Sequence, residues 1–346
     1  MIANPYLLYL GSSDDEVGIK TSRGLAVFRR EDCVGEFRHD DCLLTLDLPR
    51  MGFADAVAAG ARTLVLGVAN AGGTLGAQLV RDAIAAVEAG LDVASGLHQR
   101  LRDEPALAAA AARCDRRLHD VRDPRPDIPI GNGKPRAGRR LLTVGTDCSV
   151  GKMYATLCLE RAMKKRGLSV DFRATGQTGI LIAGSGVPLD AVVADFISGA
   201  IEQLSPPRDD GGWDLIEGQG SLFHPSFAGV STGLLHGAQP DALVLCHDPV
   251  RSHMRGLPHY AMPALGETLE ANLRVARLTN PNVRAVGVAL NTSKLARDEA
   301  ERLCDEVSAL LGLPCTDPFA MGVEPIIDWM VECFEPVPVE ARAIHA

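Results

Sequence analysis

Residues 141–153, Leu-Leu-Thr-Val-Gly-Thr-Asp-Cys-Ser-Val-Gly-Lys-Met, constrain this chain more than any other stretch. The apolar run 141–144 reads as a buried strand, 145–150 as a tight loop, and Gly151-Lys152 as the opening of a helix. A strand, glycine-rich loop and helix N-terminus in this order form an anion-binding device. Backbone N–H groups converge on the ligand and a lysine adds positive charge. The order also demands a parallel α/β sheet, because the loop sits where a central strand crosses into its helix. The usual wording places Ser or Thr after the lysine, where its hydroxyl holds a magnesium ion. Here Met153 occupies that place, and a thioether is no ligand for a hard cation. The loop therefore reads as Gly145, Thr146, Asp147, Cys148, Ser149, Val150, Gly151, Lys152 and Met153 gripping phosphates without a metal. A ligand-free turn is the competing reading, and the agreement of strand, glycines, lysine and helix speaks against it.

The 346 residues provide for two domains of ordinary size. Upstream of the loop, apolar runs at 7–10, 43–46, 63–68 and 91–94 alternate with helical stretches at 53–61, 77–89 and 105–114. Strand–helix alternation of this kind predicts a Rossmann-like parallel sheet. Residues 70–73 and 95–98 end two of its strands, with no full dinucleotide fingerprint. The prolines, glycines and basic residues of 119–140 change the composition and mark a connector. The expected division is an N-terminal domain over 1–125, a solvated linker over 126–140 and a C-terminal domain over 141–346. That second domain has the P-loop NTPase-like doubly wound pattern: further strands are expected near 169–173, 213–217, 242–246, 283–290 and 315–318, with helices over 152–166, 189–204 and 298–311.

The strand ends of this domain are expected to line one rim. Glu217 closes a strand and opens Gly218-Gln-Gly-Ser-Leu-Phe-His224. A carboxylate and a histidine there suit proton transfer near neutral pH, so Glu217 and His224 are the candidate acid–base residues. Gln177 is a candidate donor to a developing oxyanion. Asn291, just past the 283–290 strand, can offer donor and acceptor to a base edge. Cys148 is more easily explained as a small loop-filling residue than as a nucleophile. Arg251, His253 and Arg255 are either an anion-facing group or a surface loop.

Composition excludes several classes. A net charge of −9 without a basic stripe disfavours nucleic acid. Nine scattered cysteines with no Cys-x-x-Cys pair fit reduced thiols in the cytoplasm rather than disulfides or structural zinc. The first residues lack the basic and apolar segments of a signal peptide, and no apolar run reaches membrane-spanning length.

The wording Gly-Thr-Asp-x-x-Val-Gly-Lys resembles the dethiobiotin-synthetase type of P-loop, with Met153 the departure. Together with Ala174-Thr-Gly-Gln-Thr-Gly-Ile, Gly186-Val-Pro-Leu-Asp-Ala-Val, Glu217-Gly-Gln-Gly-Ser-Leu-x-His-Pro and His247-Asp-Pro, it resembles one family across nearly the whole chain. That family was long a domain of unknown function with a P-loop C-terminal domain, and includes the DgcN-type D-glutamate N-acetyltransferases. The resemblance implies transfer of an acetyl group from acetyl-CoA to the amine of D-glutamate, with no metal. It also implies a metabolic link to an N-acetyl-glutamate racemase. A homo-oligomer is expected. The competing functions are an ATP-dependent ligase or kinase related to dethiobiotin synthetase, with magnesium on Asp147, Glu217 or Thr156, and a nucleotide or CoA sensor without turnover.

Overall fold

The computed structural model of the protein describes residues 2–15, 18–68, 73–124 and 126–334. Contacts divide the chain into two compact units. The first holds 1–127 together with 174–192, and the second holds 128–173 and 193–346.

The first unit runs β1 (Tyr6–Gly11), α1 (Lys20–Phe28), β2 (Cys33–Arg38), α2 (Phe53–Ala58), β3 (Thr63–Leu66), α3 (Ala77–Ala89), β4 (Asp92–Ser95), α4 (Pro105–Cys114) and β5 (Leu118–Asp120). Among the described residues, five strands of this unit pair in parallel in the order β2-β1-β3-β4-β5. Leu7, Leu64, Leu66 and Val93 meet Ala83, Ala86 and Val87 of α3 in its core. The apolar faces of β1, β3 and β4 are the ones their sequences announce. The run at 43–46, expected as a strand, is not one. Leu43 is 91% exposed, and the buried Glu36 of β2 reaches out to take Thr45 Oγ1 and Leu46 N instead. The missing strand is β2 itself, whose glycine and charged residues hide its period. Of the expected turn at 70–73, residues 70–72 lie outside the described residues.

The second unit runs β6 (Arg139–Gly145), α5 (Lys152–Lys165) and β7 (Val170–Arg173). After the helix α6 (Gln177–Ala183) it continues through α7 (Ile197–Leu204), β8 (Trp213–Ile216), α8 (Ala228–Ala238), β9 (Ala242–His247), β10 (His253–Met254), β11 (Leu257–Ala261), α9 (Leu265–Ala276), β12 (Arg284–Leu290), α10 (Arg297–Leu311), β13 (Cys315–Thr316) and α11 (Glu324–Phe334). Among the described residues, six strands of this unit pair in parallel in the order β13-β12-β9-β6-β8-β7. β10 and β11 form a separate antiparallel pair. β6 lies inside the sheet, and its residues after Arg139 are buried, as a strand covered on both faces must be. No helix among the described residues is long and apolar enough to cross a membrane.

Two features depart from the simple division expected at 126–140. α6 belongs to the first unit. There Thr178 shares a 2.8 Å hydrogen bond with Thr21 of α1, and Arg29 Nε donates to Ile182 O at 3.1 Å. The basic end of the connector is also an anchor rather than a solvated tether. Arg140 is 4% exposed, its backbone N–H donates to Asp241 Oδ2 at 2.8 Å, and Arg136 Nη2 donates to Gly237 O at 2.6 Å.

An ion cluster fixes the outer strands β7 and β8. Arg208 Nη1 lies 2.7 Å from Asp171 and 2.8 Å from Asp214, and its Nη2 lies 2.7 Å from Asp210. Asp214 is buried, with Ser205 and Arg173 as its other partners. Arg208→Ala is expected to lower stability by about 3 kcal/mol, the low end for removing one member of a buried pair, because Asp214 keeps Arg173 and Ser205. A urea unfolding curve at neutral pH measures it.

Candidate functional site

The carboxyl ends of four adjacent strands of the second unit, β12, β9, β6 and β8, carry the candidate residues. This is where open parallel sheets hold ligands.

β6 delivers the glycine-rich loop. Thr146 N donates to Cys246 O at 3.1 Å, and the Thr146 hydroxyl lies 2.9 Å from His247 Nδ1, so the loop is stitched to β9. Asp147 is fully buried and works as the loop's internal anchor. Its Oδ1 accepts from Cys148 N at 2.6 Å, and its Oδ2 accepts from Arg251 Nη1 and Arg255 N, each at 2.7 Å. Arg251 also donates to the carbonyls of Cys148 and Ser149, each at 2.8 Å, and the Arg255 guanidinium donates to Ser149 Oγ. Those carbonyls therefore face the arginine. Ser149 and Gly151 have φ of 54° and 100°, with Val150 between them. Alternation of this kind turns successive N–H groups into one concave nest, an anion receptor. The first N–H groups of α5 have no acceptor inside the helix and add to it.

Lys152 is buried and turned onto the loop itself, with Nζ donating to Asp147 O at 2.7 Å and Gly220 O at 2.9 Å. Burial pushes its pKa below the usual lysine range, against the nearby Cys148, Cys246, Asp147 and Glu217. Burial likewise pushes the Cys148 thiol up. Past Met153, Thr156 Oγ1 donates to Lys152 O at 2.8 Å and lies 3.0 Å from Thr143 Oγ1. That hydroxyl is committed to the interior.

β8 delivers Glu217 one residue past its end, 4% exposed, with its N–H held by Arg173 O at 3.0 Å. Gly218 follows with its N–H on Thr143 Oγ1 at 3.0 Å. A Cβ there would stand 1.7 Å from Thr143 O, so only glycine lets this segment lie against β6. Ser221 Oγ donates to Thr146 O at 3.0 Å. His224 is 3% exposed. Its Nδ1 accepts from Ser226 N at 3.2 Å, and its ring lies 4.5 Å from that of Phe227. A ring nitrogen of His224, the Cys148 thiol and a carboxylate oxygen of Asp147 all fall within 4.8 Å of one another. Three such donors can hold a metal. Asp147 fits that task poorly, since three N–H groups already occupy its oxygens.

Asn291 closes the rim from β12. Its N–H donates to His247 O at 2.8 Å, and its Cβ is 3.9 Å from where a Cβ on Gly151 would be. The loop, Glu217, His224 and Asn291 thus meet in one unit. Gln177 opens α6 in the first unit, against Gly96 at the end of β4. The tie between Asp147 and the arginines had no local signal in the sequence, because more than a hundred residues separate the partners.

A family model described as "Domain of unknown function (DUF1611_C) P-loop domain" matches residues 129–327. Another, "Domain of unknown function (DUF1611_N) Rossmann-like domain", matches 37–124. A D-glutamate N-acetyltransferase of Tritonibacter scottomollicae is 50% identical, covering 95% of this chain and 98% of that protein. A D-glutamate N-acetyltransferase of a Pseudoalteromonas species is 49% identical, covering 94% and 98%. The crystal structure of a DUF1611 family protein from Anabaena variabilis superposes with a TM-score of 0.87 at 32% identity, covering 95% of this chain and all of that one.

Proposed function

The chain belongs to the DUF1611 family, and from that premise we propose that it is an acyltransferase that acetylates the amine of D-glutamate, with acetyl-CoA as the donor. The observation that carries this reading is identity near 50% to two D-glutamate N-acetyltransferases over almost the full length of both partners.

The chemistry asks for a base, because only the free amine attacks a thioester, and for donors to the tetrahedral oxyanion. The second unit offers both within a few side chains: the carboxylate of Glu217 for the proton, and the nest at 149–152 for the negative charge. Charge balance favours the nest as an oxyanion site. Lys152, Arg251 and Arg255 are matched by Asp147, Glu217 and Asp248 around the loop, which suits a single negative charge better than a phosphate dianion. The loop's strand–glycine–lysine–helix order favours a second assignment, to a phosphate of CoA. That assignment puts the thioester about 15 Å away along an extended pantetheine arm, taken as some four to five backbone units, and removes Glu217 from chemistry. The transfer leaves the α-carbon untouched. The product therefore keeps the D configuration, and a racemase acting on N-acetylated glutamate is the step that would carry it onward.

Mixing the protein with acetyl-CoA and D-glutamate is expected to release free thiol and form N-acetyl-D-glutamate. Adding EDTA is expected to leave the rate unchanged, since residue 153 offers no hydroxyl and Thr156 is committed elsewhere. Turnover of ATP in place of thiol release would defeat the proposal in favour of a ligase or kinase. Binding of acetyl-CoA without turnover would favour a sensor.

A further inference from the structure

The hydrogen bonding of His224 decides which of its ring nitrogens carries a proton, and with it what the residue can do. Its Nδ1 accepts the backbone N–H of Ser226. A neutral imidazole that accepts at Nδ1 must carry its proton on Nε2, where it is a donor and has no lone pair left to take a proton. That Nε2 is buried without a hydrogen-bond partner among the described residues. A buried donor left unmade costs about 1–3 kcal/mol, a cost that an acceptor oxygen of a ligand at the loop would offset. The ring stands at the loop, within 4.8 Å of Cys148 and Asp147 groups, and the Phe227 ring beside it and the Ser226 hydrogen bond restrain its rotation. The buried Asp147 carboxylate cannot be that acceptor partner at no loss, since Arg251, Arg255 N and Cys148 N already fill it.

We infer that His224 is a fixed hydrogen-bond donor which, with the N–H groups of the 149–152 nest, binds an anionic oxygen of the acyl donor, and that it is not the proton acceptor. This rests on the acetyltransferase reading and refines it. The charged oxygen forms when the D-glutamate amine adds to the thioester carbonyl: the C–N bond forms, the carbonyl π pair moves onto oxygen, and collapse of the adduct breaks the C–S bond and expels the CoA thiolate, which takes up the proton that Glu217 has received from the amine. Throughout, Nε2–H is donated and never transferred. The proton lost by the amine goes to Glu217, the carboxylate of the same segment. A phosphate oxygen of CoA is the other acceptor that the same donors would recognise, and kinetics separate the two.

The test compares His224→Gln with His224→Ala using acetyl-CoA and D-glutamate. A glutamine amide keeps an N–H donor but cannot shuttle a proton at neutral pH. His224→Ala is expected to lose activity by about 10²–10³-fold, the usual loss of one oxyanion donor, and His224→Gln to recover to within about tenfold of the parent. If the acceptor is the thioester oxyanion, the loss falls on kcat. If it is a phosphate, the loss falls on KM for acetyl-CoA with kcat kept; both results support a donor role. Glutamine as damaging as alanine, or alanine as active as the parent, overturns it. Should either variant fail to fold, the imidazole nitrogen-15 spectrum of the unsubstituted protein decides: a neutral ring protonated on Nε2 supports the inference, and one protonated on Nδ1 overturns it. A parent protein with no acetyl transfer at all would instead remove the activity on which the inference stands.

Discussion

Replacing Glu217 with Gln is expected to lower kcat for acetyl transfer to D-glutamate by about 10²–10⁴-fold, the usual contribution of a positioned base, with KM for acetyl-CoA little changed. The substitution preserves size and keeps an acceptor oxygen, so the shape of the segment after β8 should survive. What disappears is the ability to take a proton from the substrate ammonium. With the ring of His224 restricted to donation, Glu217 is the titratable group of this segment left for that role. Steady-state kinetics in both substrates check the result. A rise in KM for acetyl-CoA with kcat intact would move Glu217 from proton transfer to cofactor binding, and unchanged kinetics would remove it from the site.

Asp147→Ala is expected to cost about 3 kcal/mol of stability and to abolish acetyl transfer. The stability cost is the low end for breaking a buried ion pair, because Arg251 keeps partial exposure and its contact with Asp248. The functional cost is larger. Without the carboxylate, the segment bearing Arg251 and Arg255 loses its hold on the loop, and nothing keeps the carbonyls of residues 148 and 149 turned away from the nest. Asp147→Asn should fall between, since one amide oxygen can serve part of the donor set without the charge. Urea unfolding and an initial-rate assay on the same preparations check both. Full activity in the alanine variant would mean that the arginines do not shape the loop.

The sequence made the central strand, the loop and α5 legible because each requirement is local: apolar residues, then glycines, then a lysine at a helix start. The helices α3 and α4 were legible for the same reason, the first ending at a glycine with φ of 109° and the second opening on a proline. β2 was not, since its stabilising feature is Glu36, a charge that looks exposed until Thr45 and Leu46 are seen to satisfy it. Within the candidate site, Glu217, His224 and Asn291 were readable as strand-end polar residues. The tautomer of His224 and the service of Asp147 to two arginines were not, because both depend on partners chosen by the fold. Gln177 shows the limit in another way. Its wording beside glycines fits a second strand-end loop, yet the helix it opens belongs to the other unit.

The membership of 174–192 in the first unit has a consequence for biosynthesis. A ribosome releases residues 1–127 well before it has made the piece that completes their fold, and at about 5–20 residues per second the gap lasts on the order of several seconds. During that interval Thr21 and Arg29 lack the helix they bind. A fragment cut after residue 127 should therefore be unstable, whereas supplying 174–192 as a separate peptide should restore it. The order of synthesis thus couples maturation of the amino-terminal unit to the emergence of the nucleotide-type loop behind it.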